Sequence, residues 1–223
     1  YGHTYQRNLV ENISIKPGLG SDTTGWNFMA FLANWGLNNI KQNIIRNIGY
    51  AAIDFHSKGV IEENLIQDVS LKLNDGCAIC GDGMTLGTII RNNIIDGAHG
   101  NIDGVPTSFI HAEPIGSGIS TGENVNTDIE IYGNTVTDVA NGALTLDHSF
   151  NSRRNKVYNN TVFLSGEQSS SGLKATDQSA GVAGACSSNC VVSNYLNEWY
   201  NNDVYVIHPT NYKGMWISNT KSN

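Results

Sequence analysis

Short aliphatic stretches recur along this chain at fixed offsets from asparagine. Leu9, Ile40, Ile61, Ile90, Ile131, Val157 and Val191 stand three residues before Asn12, Asn43, Asn64, Asn93, Asn134, Asn160 and Asn194. Two residues after the asparagine come Ile45, Ile66, Ile95, Val136, Val162 and Leu196, with Ser14 the exception. Successive asparagines lie 21 to 41 residues apart. The constant part is short and β-rich, and the variation falls in polar, Gly- and Ser-rich stretches. Repeats of paired helices hold a tighter period, so the pattern predicts stacked turns of strand with loops wandering outside. It argues against the alternative of an Asn-rich disordered chain, which has no reason to keep aliphatics in register. Strands in adjacent turns lie about 4.8 Å apart, so equivalent residues form columns: aliphatics inside, asparagine amides bonded along a corner.

A second column supports the same register. Ala52-Ile53-Asp54-Phe55, Ala78-Ile79-Cys80-Gly81, Gly118-Ile119-Ser120-Thr121, Ala143-Leu144-Thr145-Leu146 and Gly172-Leu173-Lys174-Ala175 each open a turn. Strand side chains alternate, so Ile53, Ile79, Ile119, Leu144 and Leu173 are expected inside. Asp54, Cys80, Ser120, Thr145 and Lys174 are expected outside. Trp26 to Phe31 and Val204 to Ile207 are read as the first and last copies.

With these columns in place, the chain resembles the right-handed parallel β-helix proteins of the pectate-lyase-like group over nearly its whole length. The nearest likeness is to a secreted carbohydrate-active type. In it, a turn like Asn74-Asp75-Gly76-Cys77-Ala78-Ile79 leads to one like Ile89-Ile90-Arg91-Asn92-Asn93-Ile94-Ile95, and then to a Gly-Ile strand, here Gly118-Ile119. Where that strand often ends in paired aspartates, this chain has Gly122-Glu123. The resemblance implies an all-β, right-handed, single-stranded solenoid of about seven turns, an extracellular or cell-surface setting and a polysaccharide substrate. Asp54-Phe55-His56 after Tyr50 is similar to the Asp-Pro-His stretch of β-helix uronan epimerases, with Phe55 replacing the proline.

Composition narrows the reading. The 223 residues fit one domain over 1–223. A net charge of -7 argues against nucleic acid as partner, and no apolar run approaches the roughly 18 residues that span a membrane. The chain opens on Tyr1 without an amphipathic helix to cover the first turn, which reads as a processed or excised piece of a longer secreted protein. Strand alternation sets Cys77 inward and Cys80 outward, so the two are expected to share neither a metal nor a disulfide. Cys186 and Cys190 flank Ser187-Ser188-Asn189 as candidates for a small disulfide. Asn12-Ile13-Ser14 and Asn159-Asn160-Thr161 match the glycosylation pattern. Asn12 falls in the asparagine column and Asn159 beside it, so both are read as structural.

The outward positions of the opening strand carry the candidate chemistry. The first column holds Asp54, Cys80, Ser120, Thr145, Lys174 and Tyr205; the next holds His56, Asp82, Gly122, Asp147 and Thr176; beyond lie Glu123, His148, Asp177 and His208. Asp75 precedes the strand at Ile79 and reaches the same groove. Hydrolysis of a glycoside needs two carboxyl groups flanking the bond, about 6.5–9.5 Å apart when a water attacks directly. Asp82 and Asp147, two turns apart, are expected with backbones about 9–10 Å apart, near that spacing once side chains close part of the gap, and Glu123 between them is expected to raise a neighbour's pKa by like-charge repulsion. These three are the expected catalytic residues. Asp54, His56, Asp75, His148, Lys174 and Asp177 are the expected substrate contacts, with no resident cofactor or metal.

Two other readings stay open. A polysaccharide lyase would use Lys174 as base, with Arg153 and Arg154 or a Ca²⁺ ion held by Asp147 and Asp177 against the uronate. A non-catalytic binding coil, of tailspike or adhesin type, would need no acidic cluster. The long connection from Gly97 to Ser117, bearing His99, Asp103, His111 and Glu113, is read as a lobe beside the cleft, and a metal on His99, Asp103 and His111 has no support in their spacing.

Overall fold

The computed structural model describes residues 2–16, 29–72, 76–81, 84, 87–99, 117–121, 127–139, 142–146, 154–164, 171–175, 197–206 and 213–217. Among these every regular element is a strand, and every strand pairing is parallel. No helix among them is long and apolar enough to cross a membrane. The strands pile into three ladders.

The first ladder comprises β1 (Gly2–Gln6), the later halves of β3 (Phe31–Lys41) and β5 (Ile53–Glu62), β8 (Ile89–Arg91), β11 (Glu130–Tyr132), β14 (Lys156–Tyr158) and β17 (Glu198–Tyr200). The second comprises β2 (Leu9–Ile13), β4 (Ile44–Ile48), β6 (Leu65–Val69), β9 (Ile94–Ala98), β12 (Thr135–Val139), β15 (Thr161–Leu164) and β18 (Asp203–Val206). The third comprises the earlier halves of β3 and β5, then β7 (Cys77–Gly81), β10 (Ser117–Thr121), β13 (Gly142–Leu146), β16 (Ser171–Ala175) and β19 (Lys213–Ile217). Because β3 and β5 run through both the first and third ladders, these two merge into one 12-stranded sheet; the second ladder is a separate 7-stranded sheet.

Each ladder sends an aliphatic column inward, and the second adds another of Ile48, Val69, Ala98 and Val139. Ile40, Ile61, Ile90, Ile131 and Val157 come from the first, Ile45, Ile66, Ile95, Val136 and Val162 from the second, and Ile53, Ile79, Ile119 and Leu144 from the third. All but Val139, at 4%, are at most 1% exposed, and all belong to a single core cluster. Each such side chain contributes about 1.5–3 kcal/mol by leaving water, and that repeated gain fixes the register, since a one-residue slip would turn a whole column outward.

Two residues join the first ladder to the second in every turn. The leading one takes a left-handed backbone: Arg7, Gln42, Glu63, Asn92, Gly133, Asn159 and Asn201 have φ between 51° and 64°. For an L side chain this costs about 1–2 kcal/mol, and only Gly133 avoids it. The following residue is an asparagine that offsets the cost by satisfying the corner. Asn8, Asn43, Asn64, Asn93, Asn134 and Asn160 each donate their backbone N–H and Nδ2 to the Oδ1 of the next asparagine, over 2.9–3.2 Å, and among the described residues the row ends at Asn202. The same Nδ2 also donates to a carbonyl of the preceding turn, as Asn93 does to Ile61 O at 3.0 Å.

The row therefore begins and ends on different residues from those the aliphatic spacing selects. Asn8 and Asn202 belong to it. Asn12 does not, and Asn194 lies outside the described residues. The inward position three before the asparagine is held at these ends by Tyr5, paired with Ile40, and by Trp199, paired with Val157. A rule demanding an aliphatic there passes over both. Asn12 is exposed, at φ 60°, on a second left-handed corner, where it accepts from Asn47 Nδ2 at 3.2 Å. Asn159 is exposed as well. Neither glycosylation motif, then, has its asparagine in the buried row.

The third ladder bears out the alignment of Ile53, Ile79, Ile119, Leu144 and Leu173. Its end copies differ from expectation. The first is Phe31–Asn34, paired with Ile53–His56. The last is Lys213–Ile217, while Val204 sits in the second ladder beside Val162.

Candidate functional site

The expected outward column exists as a register row: Leu32, Asp54, Cys80, Ser120, Thr145, Lys174 and Trp216 are successive partners. Trp216 takes the place expected of Tyr205, which instead pairs with Phe163. Two of the expected substrate contacts are described in full. Asp54 is only 4% exposed. Its Oδ1 lies 2.9 Å from His56 Nε2, and His56 is the partly exposed member of the pair. Alternation explains the arrangement: Phe55 between them is fully buried in the core, which sets Asp54 and His56 on the same outer side of β5.

Beside this pair β3 breaks its regular course. The register shifts between Asn34, which pairs with His56, and Leu37, which pairs with Lys58. Trp35 and Gly36 fill the irregularity with φ of 64° and 84°. Trp35 is 86% exposed, and its carbonyl accepts from Asn38 Nδ2 at 2.9 Å. A bulge that re-aims one side chain is a recurrent device next to binding sites, and a tryptophan in left-handed backbone with its ring in solvent is costly on both counts.

Contrary to expectation, Cys77 and Cys80 form a disulfide. Alternation sets residues three apart on opposite faces only while a strand stays extended, when they would be separated by about 10 Å. Here the Cα atoms are 5.3 Å apart, so the chain curls and brings both sulfurs together. Cys77 is buried and Cys80 partly exposed.

The expected catalytic residues Asp82, Glu123 and Asp147 lie outside the described residues, as do Asp75, His148, Asp177 and His208. So do Arg153, Asp103, His111, Glu113, Cys186 and Cys190. Lys174 holds its expected register between Thr145 and Trp216. Arg154 is bonded to Asp128 through a two-point ion pair that raises its pKa, and His99 lies 2.9 Å from Asp68 Oδ1. Both therefore have structural partners. Among the described residues no three His, Cys, Asp or Glu side chains converge on a metal position.

A second surface feature went unread. On the first ladder Lys41, Glu62, Arg91, Tyr132, Tyr158 and Tyr200 form one row. The three tyrosine rings stack with centroids 4.9 Å apart and planes within 11°. Arg91 donates to Tyr132 Oη at 2.9 Å and to Glu62 Oε2 at 2.6 and 2.8 Å, and these bonds raise its pKa, Tyr132 first. Tyr158 donates to Glu130 Oε2 at 2.8 Å; burial, then this bond, raises its phenol pKa. The sequence signal was available: tyrosine two residues before the row asparagine in three consecutive turns.

Comparison of the chain with protein-family models, with curated proteins and with solved structures finds no match.

Proposed function

We propose that the three ladders wind as a right-handed parallel β-helix of about seven turns whose third-ladder wall cleaves a polysaccharide. The hand follows from the strong preference of parallel crossovers for right-handed connections. The observation that carries the functional reading is the Asp54–His56 pair beside Trp35. A buried carboxylate fixes a partly exposed imidazole on an outer wall, and the register shift that follows the His56 partner Asn34 presents an indole to solvent. An indole face takes the apolar face of a sugar ring, and an oriented imidazole bonds its hydroxyls. Asp82 and Asp147 directly follow Gly81 and Leu146, which belong to the row running through Thr121. In this reading they are the acid and base of glycoside hydrolysis, with Glu123 tuning them.

The Asp54–His56 contact also favours a second reading. A histidine held by a carboxylate is suited to proton transfer at a uronate carbon, as in elimination or epimerisation, with Lys174 on the same row. One experiment separates the two. The protein is incubated with a panel of plant and algal polysaccharides, and new reducing ends and new ultraviolet-absorbing unsaturated ends are measured together. Reducing ends alone mean hydrolysis, both mean elimination, and binding with neither means epimerisation or a non-catalytic coil, which a change in the uronate composition of the recovered polymer tells apart. Full turnover in both Asp82→Asn and Asp147→Asn would retire their assignment.

A further inference from the structure

Cys77-Ala78-Ile79-Cys80 sets two cysteines three residues apart on one strand, and the structure closes them into a disulfide. Its two sulfurs are unequal. Cys77 is 6% exposed, whereas Cys80 is partly open to solvent. Directly beside Cys80 in register on the adjacent strand is Asp54, at the strand spacing of about 4.8 Å. Asp54 Oδ1 is engaged by His56, but its Oδ2 is buried and, among the described residues, has no hydrogen-bond partner. A buried acceptor without a donor costs about 1–3 kcal/mol. A disulfide offers no donor to relieve it, whereas a thiol does.

From this geometry we infer that Cys77–Cys80 is a redox-active dithiol centre that exchanges with thiols and disulfides of the glutathione class, and that Asp54 Oδ2 accepts the Cys80 S–H of its reduced form. An incoming thiolate attacks Cys80 Sγ, forming a mixed disulfide, and the electron pair of the broken Sγ–Sγ bond leaves on Cys77 Sγ, which takes a proton from solvent. A second thiolate attacks the external sulfur of the mixed disulfide and releases Cys80 as a thiolate. Protonated, Cys80 donates to Asp54. Two thiols are oxidised to one disulfide, and the protein gains two electrons and two protons. The inference is independent of polysaccharide cleavage, because its readout is a thiol equilibrium measured without sugar.

The test equilibrates the full chain with graded mixtures of reduced and oxidised glutathione. Free thiols are trapped with an alkylating reagent, and the peptide carrying Cys77 and Cys80 is weighed apart from that carrying Cys186 and Cys190. The wild-type pair is expected to reach half-reduction while the far-ultraviolet β signal is unchanged, with Cys80 alkylated faster than Cys77. Asp54→Ala should raise the ratio [GSH]²/[GSSG] at half-reduction on the order of tenfold, the worth of a bond to a charged acceptor. His56→Gln, which removes the other partner of Asp54, should move it less than about twofold. The inference is overturned if wild-type reduction occurs only together with loss of the β signal, if Cys77 alkylates first, if Asp54→Ala leaves the ratio unchanged, or if His56→Gln shifts it equally. The wild-type measurements decide even if Asp54→Ala does not fold.

Discussion

Replacing Asn93 by alanine tests the account of the corner. Asn93 is fully buried. Its Oδ1 accepts the backbone N–H of Asn64 at 3.0 Å and Asn64 Nδ2 at 2.9 Å, and its Nδ2 donates to Ile61 O, Arg91 O and Asn134 Oδ1 at 3.0–3.1 Å. Truncation strands two buried donors of Asn64. The amide of Asn64 loses its acceptor, and Asn64 Nδ2 keeps only its bond to Ile40 O. Asn134 Oδ1 retains the backbone N–H of residue 93. At about 1–3 kcal/mol per stranded buried donor the loss is about 4 kcal/mol, a large part of a typical total of about 5–15 kcal/mol. Urea unfolding followed by far-ultraviolet circular dichroism should show the midpoint falling by about 2 M for a slope of about 2 kcal/mol/M. Asn93→Asp should be no better, since it keeps the acceptor but turns an oxygen toward three others. Asn47→Ala, which removes an exposed bond to Asn12, should cost under about 0.5 kcal/mol. A loss below about 1 kcal/mol in Asn93→Ala would refute the claim that the asparagine row, beyond the aliphatic columns, holds the corner.

Three further outcomes are expected. Gly59→Ala would place its Cβ 1.7 Å from Asn38 O at a φ of +154°; both are backbone constraints, so a loss above about 3 kcal/mol is expected in the same unfolding assay. Tyr158 keeps its proton in the folded protein to higher pH than in the unfolded chain, where a phenol ionises near pH 10. Its stabilisation is therefore complete below pH 10 and declines above it, and unfolding midpoints at pH 9, 10 and 11 should fall less steeply in Tyr158→Phe than in wild type. Trp35→Ala, at a site 86% exposed, should leave the unfolding free energy within about 0.5 kcal/mol and weaken polysaccharide binding, measured by affinity electrophoresis, about fivefold or more.

Much of the ladder arrangement could be read from the chain because one buried aliphatic per strand repeats at a constant distance from the corner. Asn43, Asn64, Asn93, Asn134 and Asn160 obey that rule. The rule failed where an aromatic took the aliphatic slot, at Tyr5 and Trp199, and so misplaced both ends of the row. The wall residues were legible to the level of register: Asp54, Cys80, Ser120, Thr145 and Lys174 align as alternation requires. Burial and curl were not legible. Alternation cannot tell that Asp54 is covered, that Cys77 to Cys80 bends enough to join two sulfurs, or that a register shift lifts Trp35 clear of the surface. These depend on neighbours in the adjoining turns and on local departures from extended backbone, to which a period-two pattern is blind.

The asparagine row has a direction. From Asn8 to Asn160 each member gives its backbone N–H and one Nδ2 hydrogen forward to the oxygen of the next, so the two faces of the stack are chemically unlike. A strand added beyond Asn8 must bring amide hydrogens, whereas one added beyond Asn202 must bring a carbonyl oxygen. Growth of such a stack resembles that of a polar crystal: each completed layer is the template for the next, the two growing surfaces select different chemistry, and a layer inverted end for end finds no match at either.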